Sequence, residues 1–459
     1  MDRVRLLGRK PRRRPAMQAA MVIALGFAII ILTGAVLLTL PVSARSGEPT
    51  DFLDALFTAT SATCVTGLVT VGTATHWSGF GQVVILLLIQ IGGLGFMSLA
   101  SIASFLTRRT ITLRERMVMS AGLNLTENAG IVRLTRRVLL GTLAFEGAGA
   151  VLLATRFVPR VGLWQGIKMG VFHSVSAFCN AGFDLVGTPD NPFASLTGFA
   201  DDVVVNLTIM ALIVIGGLGF FVWGDLWDNK RRFRRLRLHT KLVLVTTAFL
   251  LGAGFVLTLL FEWGNPQTLG AMPVHDKVLA AAFQSVTLRT AGFNTIDQAA
   301  LSGPSQAVAC LLMMIGGSPG STAGGIKTVT AAVLVLSAIS ALRGRTNVSA
   351  FGRTIVSRSI MSAVTMMIVG GTLSLTGACV IAYVEGAPFG ACLFEAVSAF
   401  ATVGLSMGLT PTLHTVSHLI LILLMYLGRV GVLTLGVAVL MRHREPPKMH
   451  YPDADVMVG

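Results

Sequence analysis

The sequence predicts an all-α membrane protein of four pseudo-symmetric units, with eight spanning helices. Three observations lead there. The 459 residues are 53% hydrophobic and only 12% charged, with a mean hydropathy of +0.75, too apolar for a water-soluble chain of this length. One pattern recurs four times: FTATSATCVTGL (57–68), FHSVSAFCNAGF (172–183), FQSVTLRTAGF (283–293) and FEAVSAFATVGL (394–405). Each copy sits in the same order of hydropathy: a spanning run, a segment of about a dozen residues too short to span, then a second spanning run.

Taken in order, residues 1–16 form a basic N-terminus with seven Lys/Arg between Arg3 and Arg14. The apolar run 17–40 that follows is longer than the h-region of a secretory signal and long enough to span, so it is a retained helix. It opens the first unit (17–110), which continues through the first copy of the pattern to Gly67 and ends with the apolar run 80–106. The second unit (131–230) reads 131–155, the second copy to Gly182, then 203–226. The third (236–345) reads 239–261, a copy one residue shorter that ends at Gly292, then 303–341, which GGSPGSTAGG (316–325) interrupts. The fourth (354–442) reads 356–385, the last copy to Gly404, then 414–441, before a C-terminal tail at 443–459. The four glycines stand 115, 110 and 112 residues apart. Each is followed 24 to 34 residues on by another, Gly92, Gly216, Gly316 or Gly428, inside the second run.

The formal charge of +15 is unevenly placed: 28 of 36 Lys/Arg fall at 3–14, 108–116, 133–137, 230–241, 343–358 and 442–448. The positive-inside rule puts these groups and both termini in the cytoplasm, so the charge sets topology and implies no nucleic-acid partner. The opposite loops carry Glu48, Asp51, Asp54, Asp184, Asp190, Asp201, Asp202, Glu262, Asp276 and Glu385, an acidic face that concentrates cations. The five cysteines (Cys64, Cys179, Cys310, Cys379, Cys392) include no C-x-x-C pair, so neither a disulfide framework nor a zinc site is indicated. Cys64 and Cys179 share a repeat position and read as small packing residues, and His76, His173 and His275 have no metal-binding spacing. No carboxylate pair or nucleophile motif speaks for an enzyme. GSTAGGIKT (320–328) departs from a phosphate-binding loop because Ile326 separates Gly325 from Lys327.

Irregular backbone at membrane depth is tolerated only where protein buries it or where it lines a watery cavity. Four such loops round one pseudo-fourfold axis share one cavity, a pore. The residues leading to the glycines are Val65, Thr66, Gly67; Asn180, Ala181, Gly182; Thr290, Ala291, Gly292; and Thr402, Val403, Gly404. They share no titratable ligand. What unlike sequences can share is the main chain, and rings of backbone carbonyls replace the hydration shell of an alkali cation.

The four patterns with their IGGLGF-like second helices resemble the Ktr/Trk/HKT superfamily of potassium transporters over essentially the whole chain, most closely the KtrB-type membrane subunit, because one spanning helix precedes the first loop. The resemblance implies potassium uptake across the cytoplasmic membrane through a filter with one glycine per unit, here Gly67, Gly182, Gly292 and Gly404. It implies that 316–325 acts as an intramembrane gate, with Gly316, Gly317, Ser318, Gly320, Gly324 and Gly325 as its backbone and Arg429 opposite. It further implies a homodimer in the bilayer on a cytosolic, KtrA-like ring of RCK/KTN-type nucleotide-binding subunits, for which 108–116, 230–241 and 343–358 are candidate contacts. No cofactor is expected in this chain; potassium is the transported ligand and sodium an optional one. The alternative is a sodium- or proton-coupled Trk-type symporter, for which Asp225, Glu146 and Asp184 are the available titratable groups. Arg289, three residues before Gly292, would repel potassium if it faced the path, so it is expected to face backwards and support the filter through a carboxylate or through carbonyls, with Asp297 and Glu262 as the candidate carboxylates by side of the membrane.

Overall fold

A computed structural model describes residues 15–95, 131–229, 232–345 and 347–431. Unit 1 comprises α1 (Pro15–Thr39), the short α2 (Phe52–Cys64) and α3 (Gly79–Leu94). Unit 2 comprises α4 (Ile131–Val161), α5 (Leu163–Phe178), α6 (Val203–Gly217) and α7 (Phe220–Asp228). Unit 3 comprises α8 (Leu238–Glu262), α9 (Val274–Thr287), α10 (Gly303–Met314) and α11 (Thr328–Leu342). A two-stranded antiparallel hairpin, β1 (Ser349–Ala350) and β2 (Arg353–Thr354), leads into unit 4: α12 (Ser357–Glu385), α13 (Phe389–Ala401) and α14 (Thr415–Val430).

Four helices among the described residues are long and apolar enough to cross a membrane: α1, α4, α8 and α12, the first helix of each unit. This is a multi-pass membrane protein. On α1, Ile23, Phe27, Ile31 and Leu38 are buried while Leu25, Ile29, Leu32 and Val36 are exposed. A helix apolar all round, with one face packed and the other bare, is what a bilayer selects.

The second helices depart from the expected continuous spans. In units 1, 2 and 4 the helix stops three residues after Gly92, Gly216 or Gly428, at Gly95, Gly219 and Gly431, with φ of 79°, 93° and 89°. Their ψ values of 140°, 140° and 128° complete a conformation essentially reserved for glycine. In unit 2 the chain resumes as α7 after a turn of 89°, so 203–226 is not one straight span. The parts of 80–106 and 414–441 beyond these breaks lie outside the described residues. In unit 3 the same register holds Pro319, and the whole segment 315–327 between α10 and α11 is non-helical. The interruption in unit 3 therefore has a counterpart in unit 2, and at the same repeat position the second helices of units 1 and 4 end at a positive-φ glycine.

Each first helix packs on its own short helix: α1 on α2, α4 on α5, α8 on α9 and α12 on α13. Each second helix also packs on the short helix of the next unit: α3 on α5, α6 on α9, α10 on α13, and α14 back on α2. The order is cyclic and it closes. One apolar cluster joins α2, α3, α5 and α6 through Ala62, Ile89, Phe178 and Ile213, and a second joins Phe57 and Cys64 to α12, α13 and α14.

Candidate functional site

The short helices deliver the repeated pattern to one place. Asp51 caps α2, its carboxylate accepting from the Leu53 N–H at 2.9 Å. The helix ends at Val65 and α13 ends at Thr402, both left-handed. The same backbone recurs in every loop. Two residues before each glycine φ is 58° at Val65, 59° at Asn180, 62° at Thr290 and 52° at Thr402; at the glycines it is 100°, 70°, 81° and 91°. Left-handed non-glycine residues are uncommon, above all a β-branched one, and four at one repeat position mark a demand of the fold.

The glycines face one another. A Cβ placed on Gly67 would lie 2.5 Å from Ala181 O, on Gly182 it would lie 2.9 Å from Ala291 O, on Gly292 2.6 Å from Val403 O, and on Gly404 it would overlap Thr66 O. Every clash is with the carbonyl just before the next unit's glycine, and the fourth returns to the first. The four loops thus make a closed ring of backbone too narrow for a side chain.

A hydroxyl supports each loop from behind. The Ser61 Oγ accepts from Gly67 N at 3.0 Å and the Ser398 Oγ from Gly404 N at 3.1 Å, while the Ser176 Oγ donates to Phe183 O at 2.7 Å and the Thr287 Oγ1 to Phe293 O. All four stand four residues after the Phe that opens each copy. The sequence held this signal in the S or T of the pattern, and only the glycines were read from it. The one-residue deletion in the third copy falls after Thr287, which is why the same support survives there.

The segment 316–325 lies against all of this. The Gly316 N–H donates to Ile326 O at 2.8 Å, the Thr328 N–H to Gly317 O at 3.1 Å, and Ser318 Oγ shares a hydrogen bond of 3.0 Å with Thr328 Oγ1. Unit 2 holds the segment through its own helix break: Ser318 N donates to Gly217 O at 2.9 Å and Phe220 N to Gly320 O at 2.8 Å. Unit 4 meets it from the other side. A Cβ on Gly324 would overlap Thr402 Oγ1 and one on Gly325 would lie 3.1 Å from Ala401 O. The Arg429 guanidinium donates to Thr322 O, to Gly92 O and, at 3.3 Å, to Gly93 O. It joins the segment to the second helix of unit 1. Two residues absent from the sequence-based set belong here. The Thr322 Oγ1 proton is shared between Asn180 Oδ1 (2.9 Å) and Phe178 O (3.1 Å), and Lys327 Nζ donates to Ala323 O (2.6 Å) and Gly324 O (3.3 Å). Neither stands out in sequence, because a threonine in a loop and a lysine at a helix start are ordinary.

Arg289 is buried, and its Nη2 donates to Gly316 O at 2.8 Å. It meets neither candidate partner. Asp297 accepts from Ala299 N, and Glu262 is occupied by Asn265, Thr268 and Ser302. The reason is reach: the arginine extends from its loop toward the start of the broken segment, whereas both carboxylates tie up turns of their own.

The titratable groups considered for ion coupling are scattered. Glu146 on α4 accepts from Gln90 at 3.2 Å beside the thiol of Cys179, behind the second loop. Asp225 on α7 accepts from Asn229 at 2.8 Å and from Arg237 N at 2.9 Å, and Asp184 caps Val186 N. His173 Nδ1 donates to Met169 O at 2.8 Å within its own helix, His76 pairs with Thr50, and His275 with Asp276. Among the described residues no group of three His, Cys, Asp or Glu could hold a metal ion.

Residues 7–450 match the TrkH family, described as cation transport protein. The chain belongs to this family. Among its relatives is the potassium/sodium uptake protein NtpJ of Enterococcus hirae, 41% identical over 98% of this chain and 99% of that protein. Another is the Ktr system potassium uptake protein B of Bacillus subtilis, 41% identical over 95% of this chain and 96% of that one. The crystal structure of the potassium transporter TrkH from Vibrio parahaemolyticus superposes with a TM-score of 0.72, covering 94% of this chain and 86% of that one. At 18% identity that likeness speaks for the TrkH fold alone.

Proposed function

We propose that this chain is the ion-translocating subunit of a Ktr-like potassium uptake system in the cytoplasmic membrane. The four second helices complete eight spans round a central pore, and both termini face the cytoplasm. The observation that carries the reading is the closed ring of Gly67, Gly182, Gly292 and Gly404, in which each glycine abuts the next unit's carbonyl. A ring of backbone without side chains suits an alkali cation, which needs several oxygens of modest field strength in place of its water. Val65, Thr66, Asn180, Ala181, Thr290, Ala291, Thr402 and Val403 supply the rest of the filter main chain. The short helices α2, α5, α9 and α13 end at the ring, and their negative ends favour a cation there.

In this reading 316–325 is the gate. Two arginines and a lysine amine hold its carbonyls: Arg289 at Gly316, Arg429 at Thr322, and Lys327 at Ala323 and Gly324. Charge-assisted hydrogen bonds are about twice as strong as neutral ones, and the positive charges add a barrier to a cation beneath the filter. The partner is a cytosolic ring of nucleotide-binding subunits, with a homodimer of this chain above it; the name of the Bacillus subtilis relative, a lettered component of a Ktr system, supports a multi-subunit assembly.

Rubidium uptake by potassium-uptake-deficient bacteria expressing the full chain with its regulatory partner tests the filter. Potassium should compete and sodium should not, and Gly292→Ser should weaken that discrimination. Equal competition by sodium in the wild type would sink the reading. A second reading has one observation in its favour: the Enterococcus hirae relative is named for sodium as well as potassium. It makes sodium a coupled ion, and predicts that external sodium stimulates rubidium uptake instead of leaving it unchanged.

A further inference from the structure

One position of the repeat is occupied by four unlike polar residues. Directly after the opening Phe stand Thr58, His173, Gln284 and Glu395, and all four are buried. In three units this side chain reaches across to the chain leaving the filter glycine. His173 donates from Nδ1 to Met169 O, which leaves Nε2 to accept from the Leu185 N–H at 3.4 Å, three residues past Gly182. Gln284 and Gln298 exchange amide hydrogen bonds of 2.7 and 3.1 Å, six residues past Gly292. Glu395 does the most. One oxygen accepts from Ser406 Oγ at 2.6 Å and Met407 N at 2.9 Å, and the other from Thr410 Oγ1 at 2.7 Å, between two and six residues past Gly404. Thr410 O is in turn held by His418 Nε2 of α14 at 2.9 Å. In unit 1 Thr58 is too short to reach, and its hydroxyl has no partner.

We propose that Glu395 is the positioning residue of the fourth filter loop, its buried carboxylate clamping the outgoing chain so that Gly404 and its neighbouring carbonyls keep their place in the ring. A carboxylate suits the task because three donors converge on it and, ionised, it only accepts. No Lys or Arg pairs with it among the described residues, so its acceptors are spent on the loop. Holding Gly404 matters for the ring as a whole, since Gly404 packs on Thr66 O of unit 1 and receives Gly292 from unit 3. The neutral version already exists in the chain: Gln284 does the same work in unit 3. The inference rests on the filter reading above.

The test compares wild type, Glu395→Gln, Glu395→Ala and Gly292→Ser in the rubidium uptake assay with the full chain and its partner, recording Km, maximal rate and the ratio of potassium to sodium competition. Chain level in the membrane and melting temperature in detergent are followed in parallel. Glu395→Gln should keep the competition ratio within about twofold, because its carbonyl can accept from Met407 and its amide can donate to Thr410. Glu395→Ala should narrow the ratio about tenfold or more, as buried donors are left unpaired. Should the alanine variant fail to assemble, the double variant Ser406→Ala, Thr410→Val removes two of the three donors and leaves the carboxylate with the Met407 N–H alone; it should narrow the ratio in the same direction. An assembled Glu395→Ala or double variant with the wild-type ratio overturns the proposal, as does a glutamine variant that loses as much as alanine. If Gly292→Ser also keeps the wild-type ratio, the filter reading itself has failed; if it loses discrimination while the position 395 variants do not, only the clamp is wrong.

Discussion

Thr322 joins the broken segment of unit 3 to the loop of unit 2 and to Arg429 through one residue. Its N–H donates to Gly216 O at 3.3 Å, its hydroxyl serves Asn180 and Phe178, and its carbonyl receives Arg429. Moving the segment would therefore disturb Asn180, which the proposed function places in the filter. Thr322→Val keeps the shape and deletes the hydroxyl, leaving the Asn180 carbonyl short of its donor, a loss of about 1–2 kcal/mol from the closed arrangement. The maximal rubidium uptake rate should rise several-fold or more; an unchanged rate would show that the hydroxyl does not hold the gate. Ser398 makes the complementary case on the filter side, since its hydroxyl is the partner of Gly404 N. Ser398→Ala orphans a buried N–H at a cost of about 1–3 kcal/mol, and should lower potassium over sodium discrimination, which Ser398→Thr should largely restore. Competition curves identical for alanine and wild type would remove the hydroxyl from the filter.

At the scale of elements, the decisive feature is that the second helices of units 1, 2 and 4 stop at a positive-φ glycine in one repeat position. Gly219 both ends α6 and leaves room for the segment 316–325: a Cβ there would lie 2.8 Å from Pro319 O, and its φ of 93° is unfavourable for any other residue. Gly219→Ala should cost about 1–3 kcal/mol, seen as a lower melting temperature together with raised uptake as the gate segment is displaced. Gly147 in α4 is the internal control, with nothing near an added Cβ, so Gly147→Ala should be neutral or stabilise by up to about 1 kcal/mol. Equal effects of the two substitutions would mean that the break has no special role.

For the whole molecule, cyclic packing distributes one ring over four units, so no unit can fold its loop alone. Each short helix is held by its own first helix and by the preceding unit's second helix. The basic groups are the remaining large feature. The chain at Arg237 is tied to α7 by Asp225, which accepts from Arg237 N at 2.9 Å. If the proposed assembly holds, neutralising 230–241 together with 343–358 should abolish capture of the chain by a cytosolic regulatory ring in a detergent pull-down; capture at wild-type level would move the docking surface elsewhere.

Much of this was legible in the chain itself. Four copies of a pattern at intervals of 110 to 115 residues, each in the same hydropathic frame, set the number and order of units, because membrane insertion reads local apolarity. The glycines were visible for the same local reason: a residue without Cβ is needed wherever φ is positive and backbones approach. Partners across units were not visible. Nothing in LRTAG points Arg289 to Gly316 in preference to Asp297 or Glu262, and nothing in MYLGRVG joins Arg429 to Gly92 and Thr322. Those pairings depend on which helix ends the ring brings together across as many as 337 residues of chain. A hydrogen bond is decided by distances of a few tenths of an ångström, and packing alone sets them.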